Sequence, residues 1–180
     1  MNYKGQNKII YQDDKIIKFL CESKKYGNQE AIIDSEDWDK IKNYHWSIAN
    51  CYGFRIISSI NGNKVFLSRF IMNCNNENMD VDHVFHDTLD NRKCNLRICT
   101  HSDNIKNRKL NCNNKFGFKG VSIDKKLIKN KSYIYYRARI QYNNKEKFLG
   151  YFKYPKQAAK AYNKAAIKYY GEFANINEGI

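Results

Sequence analysis

Alternation of apolar and polar positions marks the strands of this chain. In YIYYRARIQYN, Ile134, Tyr136, Ala138 and Ile140 fall on one face of an extended segment, and Tyr135, Arg137, Arg139 and Gln141 on the other. KFGFKGVSID before it and KEKFLGYF after it carry similar patterns, and polar turns join the three, which predicts a three-stranded antiparallel sheet. PKQAAKAYNKAAIKYYG then changes period. Ala158, Tyr162, Ala165 and Tyr169 recur as a helical stripe, Pro155 suits the first helical position, and Gly171 suits the position just past the last turn. Small alanines let this helix lie close against the sheet. One sheet face is then covered, and the face carrying the arginines stays open.

The first half has shorter signals. EAIID (Glu30–Asp34) reads as a strand. SEDWDKIKNY reads as a helix with an acidic first turn and with Trp38, Ile41 and Tyr44 on one face. HWSIA and YGFRIISSI look like paired strands, Asn61-Gly62 is a hairpin turn signal, and KVFLSRFIM resumes the apolar pattern. VDHVF has strand character around Asp82-His83, a polar turn follows, and a helix is expected from about Thr100. The predicted class is α+β.

Charge divides the chain more sharply than hydropathy does. Residues 1–107 hold 15 Lys and Arg against 14 Asp and Glu, whereas residues 108–180 hold 17 against 4. The basic half predicts a polyanionic partner, since each phosphate neutralised releases counterions. NRKLNCNNKFG, Asn107 to Gly117, is polar, basic and Asn-rich and reads as a connector. The expected organisation is an N-terminal module over residues 1–107 with its core at about 65–107, a linker at 108–114, and a second domain over 115–180. With 180 residues and 42% apolar content, the chain is long enough for one ordinary domain or two small ones. No run approaches 18 consecutive apolar residues, and Asp13 and Asp14 stand where a signal peptide needs an apolar stretch. An intracellular protein with no membrane role is expected. None of the six cysteines is spaced as C-x-x-C, so they are expected to be reduced thiols and not a zinc site.

The segment VDHVFHDTLDNRKCNLRICTHSDN, Val81 to Asn104, is poor material for a core. It combines three of the four histidines with a cluster of Asp and Asn side chains. Phosphodiester hydrolysis needs a base for water, a group that orients the base, and a cation on the phosphate. His83 suits the base because its ordinary pKa lies near working pH. Asp82 and Asn104 offer hard oxygens suited to Mg²⁺, or to another divalent cation such as Mn²⁺. Asn95 is placed to fix the imidazole, through its amide or through the backbone around it. His101, one helical turn before Asn104, is the rival second ligand; the oxygen of Asn104 suits Mg²⁺ better.

D-H, then N-x-x-x-N-L-R, then T-x-x-x-N-x-x-N-R resembles the HNH (ββα-metal) homing endonucleases over roughly residues 65–110. AIIDSEDWDKIKNYHW and VFLSRFIM resemble the leader of many such proteins. The resemblance implies that His83 activates water, that Asp82 and Asn104 bind one metal, and that Asn95 orients the base. Two positions depart from the pattern: Ser68 stands where relatives often have His, and Asn104 takes the place of a frequent His. FKGV, LGYF, QAAKAYNKAAIKYYG and ANIN, over about residues 115–177, resemble the Apetala-two/ethylene-response-factor (ERF) DNA-binding domain. That resemblance implies a sheet laid in the major groove of double-stranded DNA. Arg137, Arg139 and Gln141, which alternation already places on the exposed face, would meet the DNA, while Lys119 and Ser122 are added by resemblance. Ser122, Asp124, Glu146 and Phe148 differ from the plant residues, so the plant target sequence does not transfer.

The expectation is therefore a site-specific DNA endonuclease, homing-endonuclease-like and virus- or phage-encoded, acting in a host's cytoplasm or nucleus. The alternative is a DNA-binding transcriptional regulator with an inactive nuclease module. An RNA-binding protein is a third reading, against which stands the lack of RNP-type motifs. Oligomeric state is left open, a monomer included.

Overall fold

IIKFLC alternates strictly, and in the computed structural model it is β2 (Ile16–Cys21), with Ile17, Phe19 and Cys21 pointing inward. The structure describes residues 7–51, 53–110, 114, 116–128 and 131–180. Tyr52 and parts of the expected connector, Cys112 among them, lie outside these residues. The chain is mixed α and β, with several small antiparallel sheets and few helices. It divides into two compact units, Met1–Asn104 and Ile105–Ile180.

In the first unit β1 (Ile9–Gln12), β2 and β3 (Gln29–Asp34) form one antiparallel sheet. Ile17 pairs with Ile33 and Phe19 with Ala31, so both inward rows meet the same core. β4 (Ser47–Asn50), β5 (Phe54–Ile60) and β6 (Asn63–Phe66) form a second sheet. Its β5–β6 turn has positive φ at Asn61 and Gly62, as a two-residue hairpin needs.

The expected helix over SEDWDKIKNY is only one turn, α1 (Trp38–Ile41), after a 3-10 turn at Ser35–Asp37. The Trp46 indole ends it by donating Nε1–H to the Ile41 carbonyl at 3.0 Å. Tyr44 leaves the helix and packs edge-on against Trp46 and Phe70. LSRFIM does not extend the strand before it; it folds as α2 (Leu67–Ile71), burying Leu67, Ser68 and Ile71.

β7 (Met79–His83) and β8 (Leu96–Thr100) pair antiparallel, with Asp82 opposite Arg97 and His83 opposite Leu96. α3 (His101–Lys106) follows directly. Thr100 accepts the Asp103 N–H at 3.1 Å and donates its hydroxyl to the Asp103 carboxylate at 2.7 Å, which fixes the helix start. Leu96 belongs to the unit's core, so the hairpin is anchored to the scaffold.

In the second unit β10 (Lys131–Tyr142) lies between β9 (Val121–Ile128) and β11 (Lys145–Phe152). A bulge between Ala138 and Arg139 leaves Leu149 as the extra residue on β11, and Leu149 packs into both core clusters. α4 (Pro155–Tyr170) starts on Pro155 and is closed by Gly171 at φ 56. Ala158, Ala159, Tyr162, Ala165 and Ala166 are buried, a wider stripe than the i, i+4 pattern alone predicts. Tyr162 covers Gly120 so closely that a Cβ there would lie 2.0 Å from its ring. Asn177 ties the tail down: it accepts the Lys119 N–H at 2.6 Å and donates to the Lys119 carbonyl at 3.2 Å.

Candidate functional site

The β7–β8 connection, residues 84–95, carries most of the polar groups of the quoted segment, and it is pinned at several points. Asn95 is fully buried. Its Nδ2 donates to the carbonyls of Asp87 (2.9 Å) and Asp90 (2.7 Å), and its Oδ1 accepts the Phe85 N–H at 2.8 Å. Its own carbonyl accepts the Val84 N–H at 2.8 Å. Asn95 therefore acts on the turn that leaves His83, through backbone, and its side chain makes no bond to the imidazole. Thr88 donates its hydroxyl to the Phe54 carbonyl at 2.6 Å, and Asn91 N–H and Ile32 N–H exchange bonds with the Ile32 and Leu89 carbonyls respectively. The Asp34 carboxylate accepts the Lys93 N–H at 2.7 Å. The two N-terminal sheets thus hold the loop as a template holds a casting.

His83 is buried. Its Nε2 lies 3.4 Å from Asn91 Oδ1. Asn91 gives its Nδ2 to the Leu89 carbonyl at 3.2 Å, so it turns an oxygen, an acceptor only, towards the ring. Towards that oxygen the ring can act only as a donor, so a neutral imidazole that makes this bond carries its proton on Nε2. Burial, first, and the positive charge of Arg55, second, push the His83 pKa below its ordinary 6.5, against smaller opposing effects of Asn91, Asp82 and Asp87. Imidazole at this position is therefore neutral near pH 7, the state a general base requires. Asn91 and Arg55 are the partners that sequence reasoning missed. Arg55 has no local signal, because β6 and α2 intervene in sequence between it and the histidine it affects.

Asp80 and Asp82 share one face of β7 by alternation, and His83 takes the other. Asp82 is buried, and its Oδ2 accepts from Arg97 Nε (2.9 Å) and Nη2 (2.7 Å) across the hairpin. Asn104 reaches Asp80: its Nδ2 donates to Asp80 Oδ2 at 2.9 Å, and His101 Nδ1 meets the same oxygen at 2.9 Å. Burial alone would raise the Asp80 pKa, but the bonds from Asn104 and His101 outweigh it and hold the carboxyl below its ordinary range. The structure thus pairs Asp82 with Arg97, Asn104 and His101 with Asp80, and His83 with Asn91. Among the described residues no group of three or more His, Cys, Asp or Glu side chains is placed to hold a metal ion. The two expected ligands, Asp82 and Asn104, would offer donors of another kind, one carboxylate and one amide oxygen. Hard oxygens in small number, with waters completing the shell, fit Mg²⁺. Asn104 Oδ1 has no partner among the described residues, so it can serve as such a donor.

In the second unit the open sheet face carries Ser122 opposite Arg137, and Arg139 opposite Phe148. Arg139 is paired with Glu146 at 2.8 Å. Arg137 Nε and Ser122 Oγ are buried with no hydrogen-bond partner among the described residues. Each such atom costs about 1–3 kcal/mol. Gln141 is exposed. Lys119 Nζ turns to the Arg108 carbonyl, and burial lowers its pKa to about 8. Phe148 and Tyr151 are exposed and in contact, and Lys126 Nζ sits 3.9 Å above the Tyr151 ring.

A protein of Acanthamoeba polyphaga mimivirus, named as an uncharacterized HNH endonuclease, is 29% identical to this chain over 170 residues, which covers 92% of this chain and 83% of that protein. No family model matches the chain, and no solved structure matches it. The chain is thus a distant homologue of a viral protein named as a nuclease. No helix among the described residues is long and apolar enough to cross a membrane.

Proposed function

We propose that the protein is an HNH-type DNA endonuclease that hydrolyses phosphodiester bonds with His83 as general base and one divalent cation, and that its C-terminal unit binds duplex DNA through the open face of an ERF-type sheet. The observation that carries the reading is the buried His83 at the end of β7: burial favours its neutral form, and Asn91 Oδ1 lies 3.4 Å from its Nε2. The succession β7, β8, α3 and the viral relative's name both support it.

In this reading the His83 imidazole takes a proton from the attacking water. Asp82 and Asn104 would hold the cation, which when bound neutralises the phosphate and the leaving oxygen. Arg97 locks the Asp82 carboxylate in one orientation, and Asn95 fixes the turn that carries His83. In the second unit Arg137, Arg139 and Gln141 face the duplex, with Ser122 beside Arg137. Arg137 and Ser122 are only partly buried, so the Arg137 guanidinium can reach base edges or phosphates from this face. Lys119, just before β9, adds a charge whose amine turns to the Arg108 carbonyl. The grip is electrostatic in the main, given 17 basic against 4 acidic residues over 108–180.

Supercoiled plasmid incubated with the full chain and Mg²⁺ tests the proposal: nicked or linear product that EDTA abolishes is expected. Tight DNA binding with no cleavage in Mg²⁺ or Mn²⁺ would overturn it in favour of a DNA-binding regulator.

A further inference from the structure

The Asp80 carboxylate faces α3 and accepts two donors from it. An amide can turn either its nitrogen or its oxygen towards a neighbour, and the two ends are nearly the same size. Asn104 serves a cation only through Oδ1, so half of its orientations are useless for binding. A carboxylate is an acceptor only. Asp80 Oδ2 therefore draws in the Nδ2–H₂ end, at 2.9 Å, and Oδ1 is left on the far side. The same oxygen meets His101 Nδ1 at 2.9 Å, which puts the ring's second lone pair on Nε2 when the imidazole is neutral. His101 and Asn104 lie three residues apart, on one face of α3, whose first turn is fixed by the Thr100–Asp103 bonds. One carboxylate thus collects the donors of two α3 side chains and leaves their acceptors outward.

We propose that Asp80 is a positioning residue for the divalent cation: it fixes the Asn104 amide with Oδ1 presented as ligand. The inference rests on the cation-assisted reading above. Its logic is that of outer partners that orient ligands at metal sites, whose loss typically lowers metal affinity by about 10–100-fold.

A merely structural Asp80 would act alike whichever residue stands at position 104. In an Asn104→Asp background both side-chain atoms are oxygens, so no orientation is needed, and Asp80 becomes a repelling neighbour. Mn²⁺ binding to the full chain, followed by electron paramagnetic resonance, gives a readout independent of cleavage. Asp80→Ala is expected to weaken Mn²⁺ binding about 10–100-fold when residue 104 is Asn, and to leave it unchanged or strengthen it when residue 104 is Asp. Equal weakening in both backgrounds, or no weakening in the first, would overturn the role of Asp80. If the unmodified chain binds no Mn²⁺, or binds it equally well after Asn104→Ala, the assignment of the cation site itself fails.

Discussion

His83 shows how a residue's chemistry is set by neighbours that the sequence does not place beside it. Burial and the Arg55 charge hold its pKa below 6.5. Cleavage rate should therefore rise with pH to a midpoint below 6.5 and be level by neutral pH. Arg55→Ala removes one of the two depressing causes and should move that midpoint upward, as a pH–rate profile will read. An unmoved midpoint would mean that Arg55 does not act on the imidazole. The linkage has a definite sign. The unfolded chain binds the proton more readily than the folded one, so stability falls as pH drops below 6.5 and stops falling below the folded-state pKa. Asn95 makes the opposite kind of point. Its identity within the segment was legible as important, but its partners were not, because three of them are backbone groups of the loop itself. Asn95→Ala leaves buried backbone groups without partners and should cost roughly 3 kcal/mol in urea unfolding; a change below about 1 kcal/mol would contradict this account of the loop.

At the scale of elements, the second unit was legible almost whole. Its strands alternate cleanly, and Pro155 and Gly171 stand at the ends of α4. The first unit was less so. β1 and β2 gave no reading although IIKFLC alternates, and α1 and α2 are single turns whose ends are set by tertiary contacts such as the Trp46 indole on the Ile41 carbonyl. The strand β8 between loop and α3 is short, and its pattern is interrupted by Arg97, whose partner Asp82 lies on the other strand. Gly120 is the element-scale feature that carries the clearest prediction. It has φ +69, and a Cβ would lie 2.0 Å from the Tyr162 ring and 2.6 Å from the Arg139 carbonyl. Gly120→Ala should destabilise the second unit by at least about 2 kcal/mol, from the left-handed backbone and the overpacking together. A thermal or urea midpoint unchanged by the substitution would show that α4 does not lie as close to the sheet as described.

The whole molecule joins a nearly neutral half to a strongly basic one, and each half has its own task in the proposed function. Charge composition made that division legible, whereas the target sequence is written in side-chain geometry on the sheet and in the DNA itself. Arg137→Gln should lower the slope of log affinity against log salt by about one if its guanidinium meets a phosphate, or cost about 1–3 kcal/mol at one base pair if it reads a base edge. Affinity and slope both unchanged would remove this face from the interface. The measurement that bears most directly on the central claim compares His83→Ala with the unmodified chain on one labelled duplex, binding and cleavage read in the same tubes with Mg²⁺ present. Cleavage is expected to fall at least about 100-fold while affinity stays the same; cleavage that survives the substitution would contradict the account.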